Sequence, residues 1–78
     1  MSEQTSLLAL SPGMRCRVTA LTMEGSMRRR LLDIGLTPGT EVQCLGRSPA
    51  GDPAAYLIRG AVIAIRARDS RSIIIQKL

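Results

Sequence analysis

Apolar and polar residues alternate with period two along most of this chain, and one stretch breaks the rhythm. Met14, Cys16, Val18 and Ala20 alternate with Arg15, Arg17 and Thr19, which predicts a strand with one wet face. Glu41 to Leu45 repeats the pattern, with Val42 and Cys44 inward. Tyr56 and Ile58 predict a third strand that leaves Leu57 and Arg59 outward. Gly60 reads as a tight turn or bulge into a fourth, where Ile63 and Ile65 face the core. Ile73 and Ile75 make a last strand, with Ile74 on its other side.

The break comes at Met27 to Thr40, which reads as a short helix that is stopped and turned into a strand. At about 100° per residue, Met27, Leu31 and Ile34 share one narrow stripe, so that face is expected to be buried. Ser26 is the expected N-cap, its hydroxyl accepting from a free N–H of the first turn. Gly35 takes the left-handed position past the helix end, and Leu36 folds back on Leu31 as in a Schellman ending. Pro38 blocks a restart, and Thr37-Pro38-Gly39-Thr40 suits a type II turn with glycine at its positive-φ site.

The remaining segments connect these elements. Residues 1–6 are expected to be a flexible N-terminus, and residues 7–78 a single domain. Leu7 to Leu10 forms one helical turn that lids the core and ends at Ser11-Pro12-Gly13. Leu21 to Gly25 is the loop into the helix. Arg47 to Pro53 is a hairpin loop turning at Gly51-Asp52-Pro53, and Ala67 to Arg71 is a single helical turn. About five short strands with one inserted helix bury their faces most easily by curling into a small, mainly β barrel.

The stretch from Met27 to Thr40, the Gly51-Asp52-Pro53 turn and the Arg59-Gly60…Ile63-Ala64-Ile65-Arg66 segment together resemble the FeoA family. The resemblance runs from about Leu7 to Ile75, with spacings between motifs kept. The family consists of small cytoplasmic proteins that accompany FeoB, a bacterial ferrous-iron transporter with a GTPase domain. What it implies is an SH3-like barrel and a non-enzymatic role in iron homeostasis. The implied partner is the cytoplasmic part of a FeoB-like transporter, whose activity or assembly the chain would modulate. The implied place is the cytoplasm, at the inner face of the membrane through that partner, with an Arg-rich face against the anionic leaflet.

Composition narrows the chemistry. Seventy-eight residues support one domain, and with no Trp, Phe or His and Tyr56 the sole aromatic, its core must be aliphatic. The formal charge of +5 comes almost entirely from arginine. Such a surplus favours acidic partners, although solubility alone would also account for it. Two cysteines are too few for a disulfide framework. No basic, apolar leader opens the sequence, and no run approaches the roughly 20 apolar residues that cross a bilayer. A reducing, cytoplasmic setting is the expectation.

No catalytic residues are expected, because His is absent and Ser, Asp and Glu fall into no nucleophile–base spacing. No glycine-rich phosphate cradle occurs, and no cofactor is expected. Cys16 and Cys44 are weak metal candidates as half of a tetrahedral site, but at inward positions a free cysteine serves as a small hydrophobe. Nucleic-acid binding has basic residues in its favour, yet Tyr56 points inward and offers no stacking platform. A barrel of the kind that ends metal-dependent repressors is the other alternative.

Docking to a protein remains, with Arg28, Arg29, Arg30, Leu32, Leu36 and Leu57 as the expected partner-binding residues and Ile74 as a further apolar candidate. Three successive arginines spread around a helix and are not expected all to point away from the body. Leu32, off the stripe near Arg28, either widens the buried face or stands as an anchor ringed by arginines. Asp33 is spaced to pair with Arg29 or Arg30, an exposed contact that contributes about 0.3–0.5 kcal/mol. Open edge strands would also allow two copies to pair.

Overall fold

The computed structural model describes residues 4–78; Met1–Glu3, placed above in the flexible N-terminus, lie outside the described residues. The chain runs through strand β1 (Gln4–Ser6), a 3₁₀ turn (Leu7–Ala9), β2 (Arg15–Leu21), helix α1 (Ser26–Asp33), β3 (Glu41–Arg47), β4 (Ala54–Ile58), β5 (Ala61–Ile65), α2 (Ala67–Ser70) and β6 (Ile73–Lys77). The strands form one antiparallel sheet in the order β1-β6-β2-β3-β4-β5.

Laid flat at about 4.8 Å per strand, six strands would hold their outer members some 24 Å apart, too far to share a core. Here the inward residues of β2, β3, β4, β5 and β6 all belong to one cluster, aliphatic but for Tyr56, so the sheet is curled. Two bulges let it bend, between Val18 and Ala20 on β2 and between Cys44 and Gly46 on β3. Leu7 in the 3₁₀ turn and Leu10 just after it are fully buried in the core cluster, as expected of a lid. Arg47 holds that lid, its guanidinium donating to the carbonyls of Leu8 at 2.9 Å and Leu10 at 3.1 Å.

Several expectations change. Gln4–Ser6, expected to be loose, pairs with β6 through Gln4↔Gln76, Thr5↔Ile75 and Ser6↔Ile74; three polar residues carry no alternation that would betray a strand. Met14, expected inward, is exposed at the mouth, because its N–H closes a turn onto Ser11 before β2 begins. Ala20 is only half-buried, since the bulge after Val18 resets the alternation. Ile63 is also half-buried, on a strand that among the described residues has a neighbour on one side alone.

The helix ends as the pattern predicts. Gly35, at φ +106°, donates to Leu32 O at 3.0 Å, and Leu36 donates to Leu31 O at 3.0 Å, the paired bonds of a Schellman motif. Thr40 then donates to Thr37 O at 3.1 Å with Gly39 at φ +95°, closing the turn into β3. Its start differs. Ser26 is the first helical residue, and Gly25 caps instead at φ +79°, ψ −151°, a conformation open to glycine, with no side-chain bond.

An arginine-rimmed groove beside the inserted helix

Helix α1 lies against the barrel through one fully committed side chain. Leu31 is buried, whereas Met27 and Ile34, expected to share its burial, are half-buried. Arg28, Arg29 and Arg30 are all exposed, as expected of partner-binding residues; a helix resting on so narrow a stripe leaves a wide free arc. Leu32 is half-buried beside them, intermediate between the two alternatives. Leu36, expected at a partner surface, is fully buried, because the Schellman fold-back carries it under Leu31. Asp33 makes no ion pair with Arg29 or Arg30; the one salt bridge among the described residues joins Arg15 to Glu41 at 3.3 Å.

Arg59 fixes the far end of the helix. Its Nε donates to Gly35 O at 3.1 Å, and its guanidinium reaches the hydroxyls of Thr37 at 3.2 Å and Thr40 at 3.1 Å. Thr40 also donates to Gly35 O at 2.9 Å. A cation thus sits where the helix carbonyls end, which favours the folded geometry. The strand alternation places Arg59 simply outward; only its closeness to Gly35 across the fold, which no local pattern reports, reveals the clamp.

Between α1 and β5 runs a groove of about 380 Å³. Met27, Ile34 and Ile63 give it apolar walls, and Arg30, Arg66 and Arg68 rim it beside a single acid, Asp69. A shallower basin of about 500 Å³ continues from it, sharing Arg66 and Arg68 and adding Arg71 and Asp52. Asp52 also supports the fold, because its Oδ1 accepts the Ala67 N–H at 2.9 Å and caps α2 from the hairpin loop. On the outer face of the sheet, half-buried Leu57 lies opposite Val62, which is 67% exposed and was not singled out in the sequence. Ile74 is half-buried between β1 and β2.

Cys16 and Cys44 are both free and fully buried, on a diagonal of the β2–β3 ladder in which Cys16 faces Val42. Burial pushes the Cys16 thiol up to about 11, and the nearby Glu41 carboxylate adds to the rise. Such a thiol holds its proton at neutral pH and is a poor ligand or nucleophile. Among the described residues no three His, Cys, Asp or Glu side chains gather as a metal site. Tyr56 is fully buried, so no base can stack on it. No helix among the described residues is long and apolar enough to cross a membrane.

Six antiparallel strands curled on an aliphatic core, with a helix inserted after β2, define a small SH3-like barrel. No protein of curated function matches the sequence. The chain belongs to the FeoA family: the FeoA domain matches residues 5–77. The solution structure of the FeoA protein from Chlorobium tepidum is 32% identical, covering 95% of this chain and 70% of that one, with a TM-score of 0.90. FeoA from Stenotrophomonas maltophilia, solved with zinc and described as a procaryotic SH3 domain protein, is 20% identical over 91% of this chain and 88% of its own, with a TM-score of 0.81. A manganese-dependent transcriptional repressor shares the fold at TM-score 0.87 and 18% identity, over 100% of this chain and 44% of its own. The family is linked to ferrous iron transport.

Proposed function

We propose that this chain is a non-enzymatic, cytoplasmic accessory of bacterial ferrous iron uptake that binds the cytoplasmic part of a FeoB-like GTPase transporter and modulates its activity or assembly. One observation carries the reading. The inserted helix presents Arg28, Arg29 and Arg30 to solvent and borders an apolar groove rimmed by Arg30, Arg66 and Arg68. Apolar walls supply contact area and the arginines supply orientation and encounter rate toward an acidic surface, the division of labour of a docking site. Membership of the FeoA family supports reading the partner of that surface as a ferrous-iron transporter.

Binding alters the partner only in so far as one of its states is bound better than another. Titrating the chain into the transporter's cytoplasmic domain with GTP and then with GDP tests this. Binding of unequal strength in the two states is expected, and no binding in either state refutes the reading.

A further inference from the structure

The sheet ends at β5, so one side of that strand has no neighbouring strand among the described residues. The register determines which backbone groups face that side. Cys44 N–H donates to Met14 O at 2.9 Å and Cys44 O accepts Gly13 N–H at 2.7 Å, both away from β4. Cys44 and Tyr56 are therefore a non-hydrogen-bonded pair, and Tyr56 turns its own N–H and C=O to Ile63 on the other side. By the same alternation Ile58↔Ala61 and Ala54↔Ile65 are bonded pairs, consistent with the two-residue turn at Arg59-Gly60, where φ is +49° and +82°.

That leaves Val62 and Ala64, opposite Leu57 and Ala55, with N–H and C=O pointing away from the sheet. Two donors and two acceptors stand in line on a strand, Ala61–Ile65, that contains no charge and no proline. Edge strands are ordinarily guarded by those residues or by a bulge. Both Val62 and Ala64 are exposed, and Ala64 lines the groove whose opposite wall is α1.

We propose that β5 is a strand-addition site: an extended partner segment, apolar at alternate positions and acidic at its ends, pairs with Val62 and Ala64 and lies in the groove between β5 and α1. This rests on the reading of the chain as a docking partner of a transporter. The groove and an added strand match, since alternate side chains of that strand fall toward Ile63, Met27 and Ile34. Charge selects the occupant. Arg59 and Arg66 bracket β5, and Arg30 and Arg68 rim the groove against the single acid Asp69. A second copy is disfavoured by the same residues. In the two-fold antiparallel pairing that joins Val62 to Ala64, each copy's Arg66 falls opposite the other's Gly60, next to Arg59, so like charges meet at both ends. An acidic-ended segment meets opposite charge there.

Backbone amide exchange, read by NMR on the full chain alone and with the transporter's cytoplasmic domain, tests the proposal. The Val62 and Ala64 amides exchange freely in the isolated chain and gain about tenfold protection or more in the complex. Ala64→Pro removes one outward donor without touching the β4 ladder and weakens the complex about tenfold. If that variant fails to fold, the exchange pattern of the unaltered chain decides. A complex that forms with both amides still open overturns strand addition and leaves the docking reading intact. No complex at all overturns the docking reading, and strand addition with it. Protection of both amides in the chain alone, with the sedimentation of a dimer, makes a second copy the occupant and overturns the acidic segment.

Discussion

Arg59 holds φ +49°, in a region where a side chain is strained, and three hydrogen bonds to Gly35, Thr37 and Thr40, in the segment that follows α1, hold its side chain. The packing is close enough that a β-carbon on Gly35 would meet Arg59 Cδ at 2.6 Å. Gly35→Ala therefore meets two obstacles, its own φ of +106° and the guanidinium stem, and is expected to destabilise by about 1–3 kcal/mol. Arg59→Ala removes the bonds and the stem together, at a cost of about 1 kcal/mol. The two changes are then non-additive: in the Arg59→Ala background the second substitution costs less, because the steric part is gone. Urea denaturation of the four proteins closes that cycle, and strict additivity would show that Arg59 does not press on Gly35. Cys16 gives a pH signature. Its folded pKa, about 11, exceeds the ordinary 9.0, so the folded state keeps a proton the unfolded chain has released. Stability is unaffected below about pH 9 and falls as pH rises from about 9 toward 11. Tyr56, raised above 10.0 chiefly by burial, shifts the same way. Thermal melts at about pH 7, 9 and 10.5 should show the decline, and Cys16→Val should lessen it.

At the scale of elements, α2 is a single turn of four residues, too short to form on its own. It stands because Asp52 caps Ala67 from a loop 15 residues away in sequence and because its last residue, Ser70, is buried. Asp52→Ala is expected to cost about 1 kcal/mol and Asp52→Asn much less, since the amide keeps an acceptor. Loss of amide protection across Ala67–Ser70 in the alanine variant alone would identify the cap as the cause. The elements with a strong local period, β2, β3, β4, β6 and α1, were legible in the sequence, down to the Schellman ending at Gly35. The helix cap was not, because the helix starts one residue early: Gly25 takes the cap position in a glycine conformation and the expected hydroxyl bond is not made. β1 escaped because its hold is register against β6, which polar residues do not advertise. The candidate site divides similarly. The three helical arginines and Leu32 could be placed on a helix from sequence, but Leu36 was misassigned to the surface although its fold-back was foreseen. Arg30, Arg66 and Arg68 meet only because β5 and α1 face each other across a groove, a juxtaposition of residues far apart in the chain.

For the whole molecule the governing feature is where its excess positive charge lies. The groove and the adjoining basin share Arg66 and Arg68, so arginines run continuously from Arg30 to Arg71, with Arg28 and Arg29 exposed on the same helix as Arg30. Charges this exposed add little to stability, and Arg28→Glu with Arg29→Glu should change it by no more than about 0.5 kcal/mol. Their effect belongs to encounter. Exposed charges that stay solvated at a rim act mainly on the encounter, over a range of about 10 Å at 0.1 M salt, and that attraction falls as salt is raised. Reversing both arginines should therefore slow association with the transporter's cytoplasmic domain by roughly tenfold at low salt and leave dissociation nearly unchanged. Met27→Ala should do the opposite, because an apolar wall of the groove contributes only once the partner is seated: association holds and dissociation quickens. Stopped-flow kinetics at low and high salt separate the two. If the doubly reversed protein associates as fast as the original at low salt, the arginine surface does not guide the partner, and the groove alone must account for recognition.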